Sequence, residues 1–220
     1  MSCVIVDCGS GNLFSVAQAL AFTAPLGKNE QDIVITHDPA MLSQAERIIL
    51  PGQGAFARCY RGLAAQNGLL DMLERKVRVE KTPFLGICVG MQLMVELGLE
   101  HGAHAGLGWL RGRCEAIALP SDSGLKIPHM GWNDLDITKR GQTHPLLQGV
   151  VPGDHAYFVH SYAVTSCAED AVLATSSYGG AVTAIIGQGN MFGTQFHVEK
   201  SQKLGLQILR NFWLWDGAWV

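Results

Sequence analysis

One cysteine of the chain lies between two glycines, in the segment Gly86-Ile87-Cys88-Val89-Gly90. The apolar run from Pro83 to Ile87 precedes it, and a pattern of helical spacing from Met91 to Leu97 follows. A strand that turns sharply into a helix exposes the residue at the bend, as in a nucleophile elbow. The glycines remove side chains that would collide there. The segment predicts a nucleophilic cysteine, although a tight turn around a buried thiol explains the same pattern.

The expected helix start would also act on the chemistry of Cys88. Free N–H groups and the positive end of a helix dipole face the sulfur and favour the thiolate, which is the attacking form. The N–H of Val89 would point to an oxyanion that develops on the substrate. A thiol nucleophile still needs a base, and the base needs a group that orients it.

A candidate base stands at the end of the apolar run from Met191 to Phe196. His197 follows this run directly, and Glu199 lies two residues further on. In an extended segment such residues point to the same side, so the carboxylate can orient the ring and leave one nitrogen for the thiol. Ligands of open α/β sheets bind at the carboxyl ends of strands. The segments that contain Cys88 and His197 are both expected to lie at such strand ends. Taken alone, the pair is equally a strand-end histidine beside a surface glutamate.

Composition narrows the function classes. The chain has 220 residues, 48% of them hydrophobic, and a net charge of -3, which suits one domain over residues 1–220 and argues against nucleic-acid binding. It has no apolar run of about 18 residues, so we expect no membrane span. The N-terminal segment does not resemble a signal peptide, and we expect a cytoplasmic protein. Six cysteines without a CxxC pair predict neither a metal site nor a disulfide framework.

Apolar runs and helical patterns alternate in the first half of the chain, which predicts βαβ units. A strand is expected from Arg47 to Leu50, ended by Pro51-Gly52. In the second half, short strands follow one another with few helices, including one from Tyr157 to Val164. We therefore predict a single-domain α/β fold with an open, mostly parallel twisted sheet flanked by helices and additional antiparallel strands in the second half. A last helix is expected from Ser201, a plausible N-cap, to Trp213.

Three motifs together resemble a known family. Leu85 to Gln92 and Phe196 to Glu199 look like the active-site segments of the class I (triad) glutamine amidotransferases, and Pro51 to Phe56 is similar to the oxyanion strand of that family. Three further segments narrow the resemblance to the glutaminase subunits of imidazole glycerol phosphate synthases: Val6 to Leu13, His160-Ser161-Tyr162 and Glu199-Lys200-Ser201. The resemblance covers essentially the whole chain.

The resemblance implies a class I glutamine amidotransferase-like fold and a glutaminase that uses no cofactor. Such subunits hydrolyse L-glutamine through a cysteine thioester. They pass ammonia to a (β/α)8-barrel cyclase subunit, with which they form a heterodimer that makes imidazole glycerol phosphate and AICAR in histidine biosynthesis.

The resemblance also implies roles for individual residues. Cys88 would be the nucleophile, His197 the base and acid, and Glu199 the orienting carboxylate. Backbone groups of three residues would bind the oxyanion: Gln53, Gly54 and Val89. Four residues would hold glutamine: Gly52, Gln92, Ser161 and Tyr162. Four would lie at the interface with the cyclase: Asn12, Trp132, Tyr157 and Lys200.

Three rival interpretations remain open at this point. The chain can be the glutaminase subunit of another amidotransferase, for anthranilate, aminodeoxychorismate or pyridoxal phosphate synthesis. It can be a nucleotide-binding module, because Gly9-Ser10-Gly11 follows a strand, yet Phe14 stands where the dinucleotide fingerprint has its third glycine. It can be a catalytically silent scaffold, against which the presence of Cys88, His197 and Glu199 argues.

Overall fold

A computed structural model describes residues 3–219 of the chain. The strands are β1 (Cys3–Val6), β2 (Ile33–Thr36), β3 (Arg47–Gly52), β4 (Phe84–Cys88), β5 (Val95–Gly98), β6 (His104–Ala105), β7 (Leu110–Ala116), β8 (His129–Asp134), β9 (Asp136–Ile137), β10 (His155–His160), β11 (Tyr162–Thr165), β12 (Val172–Ser177), β13 (Ala181–Gln188) and β14 (Met191–Thr194). The helices are α1 (Leu13–Phe22), α2 (Pro39–Leu42), α3 (Phe56–Ala64), α4 (Leu69–Glu74), α5 (Val89–Gln92) and α6 (Gln202–Leu214). Within residues 3–219, no helix combines the length and apolar character needed to cross a membrane.

An eight-stranded sheet forms the centre of the fold, in the order β2-β1-β3-β4-β14-β13-β12-β9. The five strands from β2 to β14 run parallel, and β13, β12 and β9 are antiparallel to their neighbours. Four strands, β1, β3, β4 and β14, are buried along their whole length, as expected where both faces of a sheet are covered. The predicted α/β class, with antiparallel strands in the second half, is confirmed.

Two smaller sheets lie outside the central one. One has the order β11-β7-β5-β6, and the other is a ribbon of β10 and β8. The prediction of one strand from Tyr157 to Val164 was wrong, because β10 pairs with β8 whereas β11 pairs with β7. The chain changes sheets at Ser161, which places that residue at a corner rather than inside a strand.

The predicted helix from Met91 to Leu97 was also wrong. Only α5, a single turn, forms after Cys88, and β5 begins at Val95. A segment that lies further along the chain takes the carbonyl groups that a longer helix would use. Leu107 N–H donates to the carbonyl of Leu93, and the N–H groups of Trp109 and Leu110 donate to the carbonyl of Met94. Tertiary pairing thus overrides the local helical pattern.

The start of α5 lies unusually close to β3. Strand β3 continues through Pro51 to Gly52, further than predicted, and pairs Gly52 with Cys88. A Cβ atom at Gly90 would lie 1.8 Å from the carbonyl oxygen of Leu50, far inside van der Waals contact. Only glycine fits at residue 90, and its presence lets the turn after β4 pack directly on the neighbouring strand.

We predict that Gly90→Ala destabilises the protein by about 2 kcal/mol or more, because the added methyl group must displace backbone atoms of β3. The matched control is Gly180→Ala, since a Cβ atom at Gly180 has no neighbour within 4 Å. Urea unfolding of both variants measures the effect. Equal midpoints for Gly90→Ala and the parent chain would contradict the close approach.

Candidate active site

Cys88 occupies the sharp bend predicted from its flanking glycines. It ends β4 and precedes α5, with φ 54° and ψ -110°, a conformation that costs free energy for any residue other than glycine. Pairing with Gly52 and packing of α5 on β3 hold the residue there. Because α5 is only one turn long, the dipole contribution expected from a longer helix is reduced, and the free backbone N–H groups of the turn remain.

A cavity of about 400 Å³ opens beside the Cys88 thiol. It is lined by Gln53, Gly54, Ala55, Cys88, Val89, Gln92, Glu100, Pro128, Val159, His160, Ser161 and Tyr162. Most of the residues predicted to bind glutamine or its oxyanion thus surround one space. Gly52 does not line it: this glycine lies beneath the turn, where a Cβ atom would be 2.8 Å from the backbone nitrogen of Gly90.

His197 and Glu199 form a buried hydrogen-bonded pair. Nδ1 of His197 lies 2.8 Å from Oε1 of Glu199, and the two side chains are 3% and 1% exposed. Nε2 of His197 is buried without a hydrogen-bond partner among the described residues, which leaves it free for a proton. Burial lowers the pKa of His197, but the neighbouring Cys88 and Glu199 outweigh burial and raise the pKa to about 9. The imidazolium form is therefore stabilised between a sulfur and a carboxylate.

The backbone around His197 is fixed by β10 rather than by an extended continuation of β14. Strand β14 ends at Thr194, and Glu199 lies in a 3-10 turn, Val198–Lys200, so the turn brings the carboxylate to the ring. The N–H of His197 donates to the carbonyl of Tyr157. Ser201 starts α6 as predicted but makes no side-chain cap; its hydroxyl donates to the carbonyl of His197 and accepts from the N–H of Tyr157.

Gln92 points inward, not to water. Its Nε2 donates to the carbonyl of Tyr162 at 3.0 Å and to Oε1 of Gln195 at 3.1 Å. Gln195 is completely buried, and its own Nε2 lies 3.7 Å from Sγ of Cys88. Gln195 was not predicted, because it falls inside a run interpreted as an apolar strand. Its signal was a polar residue next to the end of that run, directly before Phe196 and His197.

A pair of buried histidines, His129 and His160, stands at the wall of the cavity, and their pairing was not predicted. Nδ1 of His129 is 3.0 Å from Nε2 of His160, and Nδ1 of His160 donates to the carbonyl of Tyr162. Asn133 donates to Nε2 of His129. Burial lowers the pKa of both histidines to about 4, so the pair is neutral near pH 7. The pair is therefore suited to a fixed hydrogen-bond relay that supports the wall of the cavity, not to a charged one.

Three of the four predicted interface residues form a surface cluster. The rings of Trp132 and Tyr157 meet edge to face, with centroids 5.8 Å apart, and Nζ of Lys200 lies 5.8 Å from the Tyr157 ring. Trp132 is 47% exposed and Met130, on the same strand, 65% exposed. Asn12 immediately precedes α1, which packs against the Val198–Lys200 turn.

Residues 3–219 contain no group of three or more histidine, cysteine, aspartate or glutamate side chains placed to hold a metal ion. All six cysteines are free thiols.

Comparison with known proteins places the chain among glutamine-using enzymes. A family model described as "Glutamine amidotransferase class-I" matches residues 4–215. A protein of Granulibacter bethesdensis, "Imidazole glycerol phosphate synthase subunit HisH", is 50% identical over 215 residues that cover 98% of this chain and 96% of the relative. The subunit of the same name from Rhodospirillum rubrum is 49% identical, covering 98% of this chain and 99% of the relative.

Solved structures share the fold at much lower sequence identity. A crystal structure of a glutamine amidotransferase superposes with a TM-score of 0.68 at 20% identity, covering 95% of this chain and 96% of the other. A putative GMP synthase protein of Thermoplasma acidophilum gives a TM-score of 0.65 at 18% identity, covering 96% and 92% of the two chains. The chain therefore belongs to the class-I glutamine amidotransferase family, among the relatives that form the HisH subunits of imidazole glycerol phosphate synthase.

Proposed function

We propose that the chain hydrolyses L-glutamine at Cys88 and supplies the released ammonia to a cyclase subunit that makes imidazole glycerol phosphate. The observation that carries this proposal is a thiol held at positive φ on the edge of a cavity, beside a buried histidine–glutamate pair. Relatives about half identical over nearly the whole chain bear the HisH name, whereas the GMP synthase relative is similar only in fold. This contrast favours the imidazole glycerol phosphate branch over other amidotransferases.

The first half-reaction forms a thioester. Sγ of Cys88 attacks the carbon of the glutamine side-chain amide, and the thiol proton passes to the free Nε2 of His197. Glu199 holds the other ring nitrogen and stabilises the imidazolium. Backbone N–H groups of Val89 and of the Gln53-Gly54 turn are the candidate donors to the oxyanion.

The first half-reaction ends when the imidazolium gives its proton to the leaving nitrogen, the C–N bond of the tetrahedral adduct breaks, and ammonia departs, which leaves the thioester. The second half-reaction returns the enzyme to its starting state. A water molecule, deprotonated by the now neutral His197, attacks the thioester carbon. The C–S bond breaks, the sulfur regains a proton, and glutamate leaves. The balance is one glutamine and one water consumed for one glutamate and one ammonia.

The cavity offers partners for both ends of glutamine. The Ser161 hydroxyl and the Tyr162 backbone stand at the corner between β10 and β11, beside the bend at Cys88. Glu100 presents a carboxylate to the same space, with Oε2 held 2.7 Å from the N–H of Phe56. A carboxylate suits the α-ammonium group of the substrate, and backbone N–H groups suit its α-carboxylate. We therefore assign Glu100, together with the predicted Gln92, Ser161 and Tyr162, to substrate binding.

We predict that Cys88→Ala lowers glutamine hydrolysis by about a thousandfold or more, since the other residues that line the cavity carry no thiol. The control is Cys167→Ser, a partly exposed thiol in the loop after β11. Glutamate release by the purified chain, alone and with the cyclase subunit, measures the rate. Retained hydrolysis in Cys88→Ala would refute the proposed nucleophile.

A second prediction concerns pH. The pKa of His197 is raised to about 9, so the imidazolium needed to protonate the leaving nitrogen persists up to that pH and is lost above it. Glu199→Gln removes one of the two groups that raise this pKa. The alkaline limb of the kcat profile should therefore shift to lower pH in the variant. An unchanged limb would mean that Glu199 does not act on the charge of His197.

The surface near Cys88 suits the partner subunit. Three residues lie together on the exposed side of β8, β10 and the Val198–Lys200 turn: Trp132, Tyr157 and Lys200. The Val198–Lys200 turn also contains Glu199. Ammonia that escapes into water at neutral pH is mostly protonated and no longer nucleophilic. A partner bound to this surface would receive ammonia before water protonates it. A half-exposed tryptophan is a typical anchor of such an interface.

We predict that Trp132→Ala weakens binding of the cyclase subunit by about tenfold or more. The matched control is Phe22→Ala, an aromatic residue that is 75% exposed at the opposite end of α1 from Asn12. Titration calorimetry with the purified cyclase subunit measures the affinity. Equal loss in both variants, or none in Trp132→Ala, would place the interface elsewhere.

A further inference from the structure

The side chain of Gln195 lies within hydrogen-bond distance of the sulfur of Cys88. Its amide nitrogen, Nε2, lies 3.7 Å from Sγ. The side chain is completely buried, and its backbone N–H donates to the carbonyl of Ala184, which continues the ladder between β13 and β14. A buried amide fixed in this way contacts the sulfur from the side of the central sheet.

The orientation of the Gln195 amide follows from its neighbours. The carbonyl of Tyr162 can only accept, so the end of Gln92 that faces it must be the nitrogen. The same nitrogen faces Gln195 at 3.1 Å, so that end of Gln195 must be the oxygen. The other end, toward Cys88, is therefore the NH₂ group. Reversing either amide would set two donors or two acceptors against each other in a buried site, which is costly.

We propose that Gln195 is a further catalytic residue, whose buried amide N–H donates to the Cys88 sulfur and stabilises it as the attacking thiolate. This inference rests on the proposed role of Cys88 as nucleophile. A hydrogen bond to a charged acceptor is stronger than one to a neutral acceptor, so the amide favours the thiolate over the thiol. The thiol proton then passes to the buried Nε2 of His197, which has no hydrogen-bond partner among the described residues.

Gln92 acts in this arrangement through Gln195. By accepting from Gln92, Oε1 of Gln195 is held away from the sulfur, and the donor end is presented instead. Gln92 also lines the cavity, so a single pair of amides links the substrate space with the nucleophile. The test therefore measures the sulfur without glutamine, in order to separate the effect of Gln195 on Cys88 from any effect on substrate binding.

The experiment is alkylation of Cys88 by iodoacetamide in the purified chain between pH 6 and pH 9, followed by the mass of the peptide that contains Cys88. Gln195→Met keeps a side chain of similar length and removes the donor. We expect the rate constant at pH 7 to fall about 10-fold or more, which is the range for loss of a hydrogen bond to a charged group. The difference should narrow as pH rises, because the rate follows the thiolate fraction.

Two further variants secure the result. Gln195→Glu keeps an oxygen for Gln92 but turns an oxygen toward the sulfur, so the alkylation rate constant of Cys88 should fall further. This variant tests the inference if Gln195→Met does not fold. Gln188→Met, exposed at the end of β13, should leave the rate unchanged. Alkylation rate constants of the Gln195 variants within about twofold of the parent chain, or a loss of the same size at every pH, would overturn the inference.

Alkylation, read together with the hydrolysis assay of Cys88→Ala, distinguishes failure of the inference from failure of the proposed function. If Cys88→Ala still hydrolyses glutamine, the proposed nucleophile is wrong and the role of Gln195 falls with it. If Cys88→Ala is inactive while Gln195→Met alkylates like the parent chain, the proposed function stands and only the role of Gln195 is refuted.

Discussion

The contact between the turn after β4 and the backbone of β3 is the constraint on which the site depends. Cys88 can hold a positive φ only because the surrounding structure leaves the chain no relaxed alternative. Gly90 lies against the carbonyl of Leu50, and Gly52 fits beneath Val89 for the same steric reason. The buried core strands β1, β3, β4 and β14 supply the rigidity that this strain requires. The proposed oxyanion segment and the proposed nucleophile are thus placed together by one steric fit.

Local sequence was informative where local geometry decides the structure. The bend at Cys88 and the pairing of His197 with Glu199 follow from residue types and short spacings, and the sequence identified them. The sequence did not show that β4 and β14 are neighbours, because strand order depends on the whole fold. The helical pattern after Cys88 was misleading, since the carbonyls of Leu93 and Met94 are taken by residues more than ten positions away. Gln195 escaped notice because its partners are about 100 residues distant.

The histidines show why residue type alone does not give protonation state. Burial alone would lower the pKa of His197, but the sulfur and the carboxylate beside it outweigh burial and raise that pKa. His129 and His160 are also buried, but within residues 3–219 they have no carboxylate partner and instead face each other, a carbonyl and an amide. Burial therefore lowers the pKa of both. The same side chain is charged in one place and neutral in another, and only tertiary contacts decide which.

Strand β10 connects the outer surface with the catalytic machinery. Tyr157 contributes its ring to the exposed cluster, its carbonyl accepts from the N–H of His197, and its N–H is tied through Ser201 to the carbonyl of His197. The same strand ends at His160, on the wall of the cavity. A partner that displaces β10 must therefore move the backbone of His197 or break these bonds. The docking surface that we propose on this strand would couple partner binding to the position of His197, at the point where ammonia would leave.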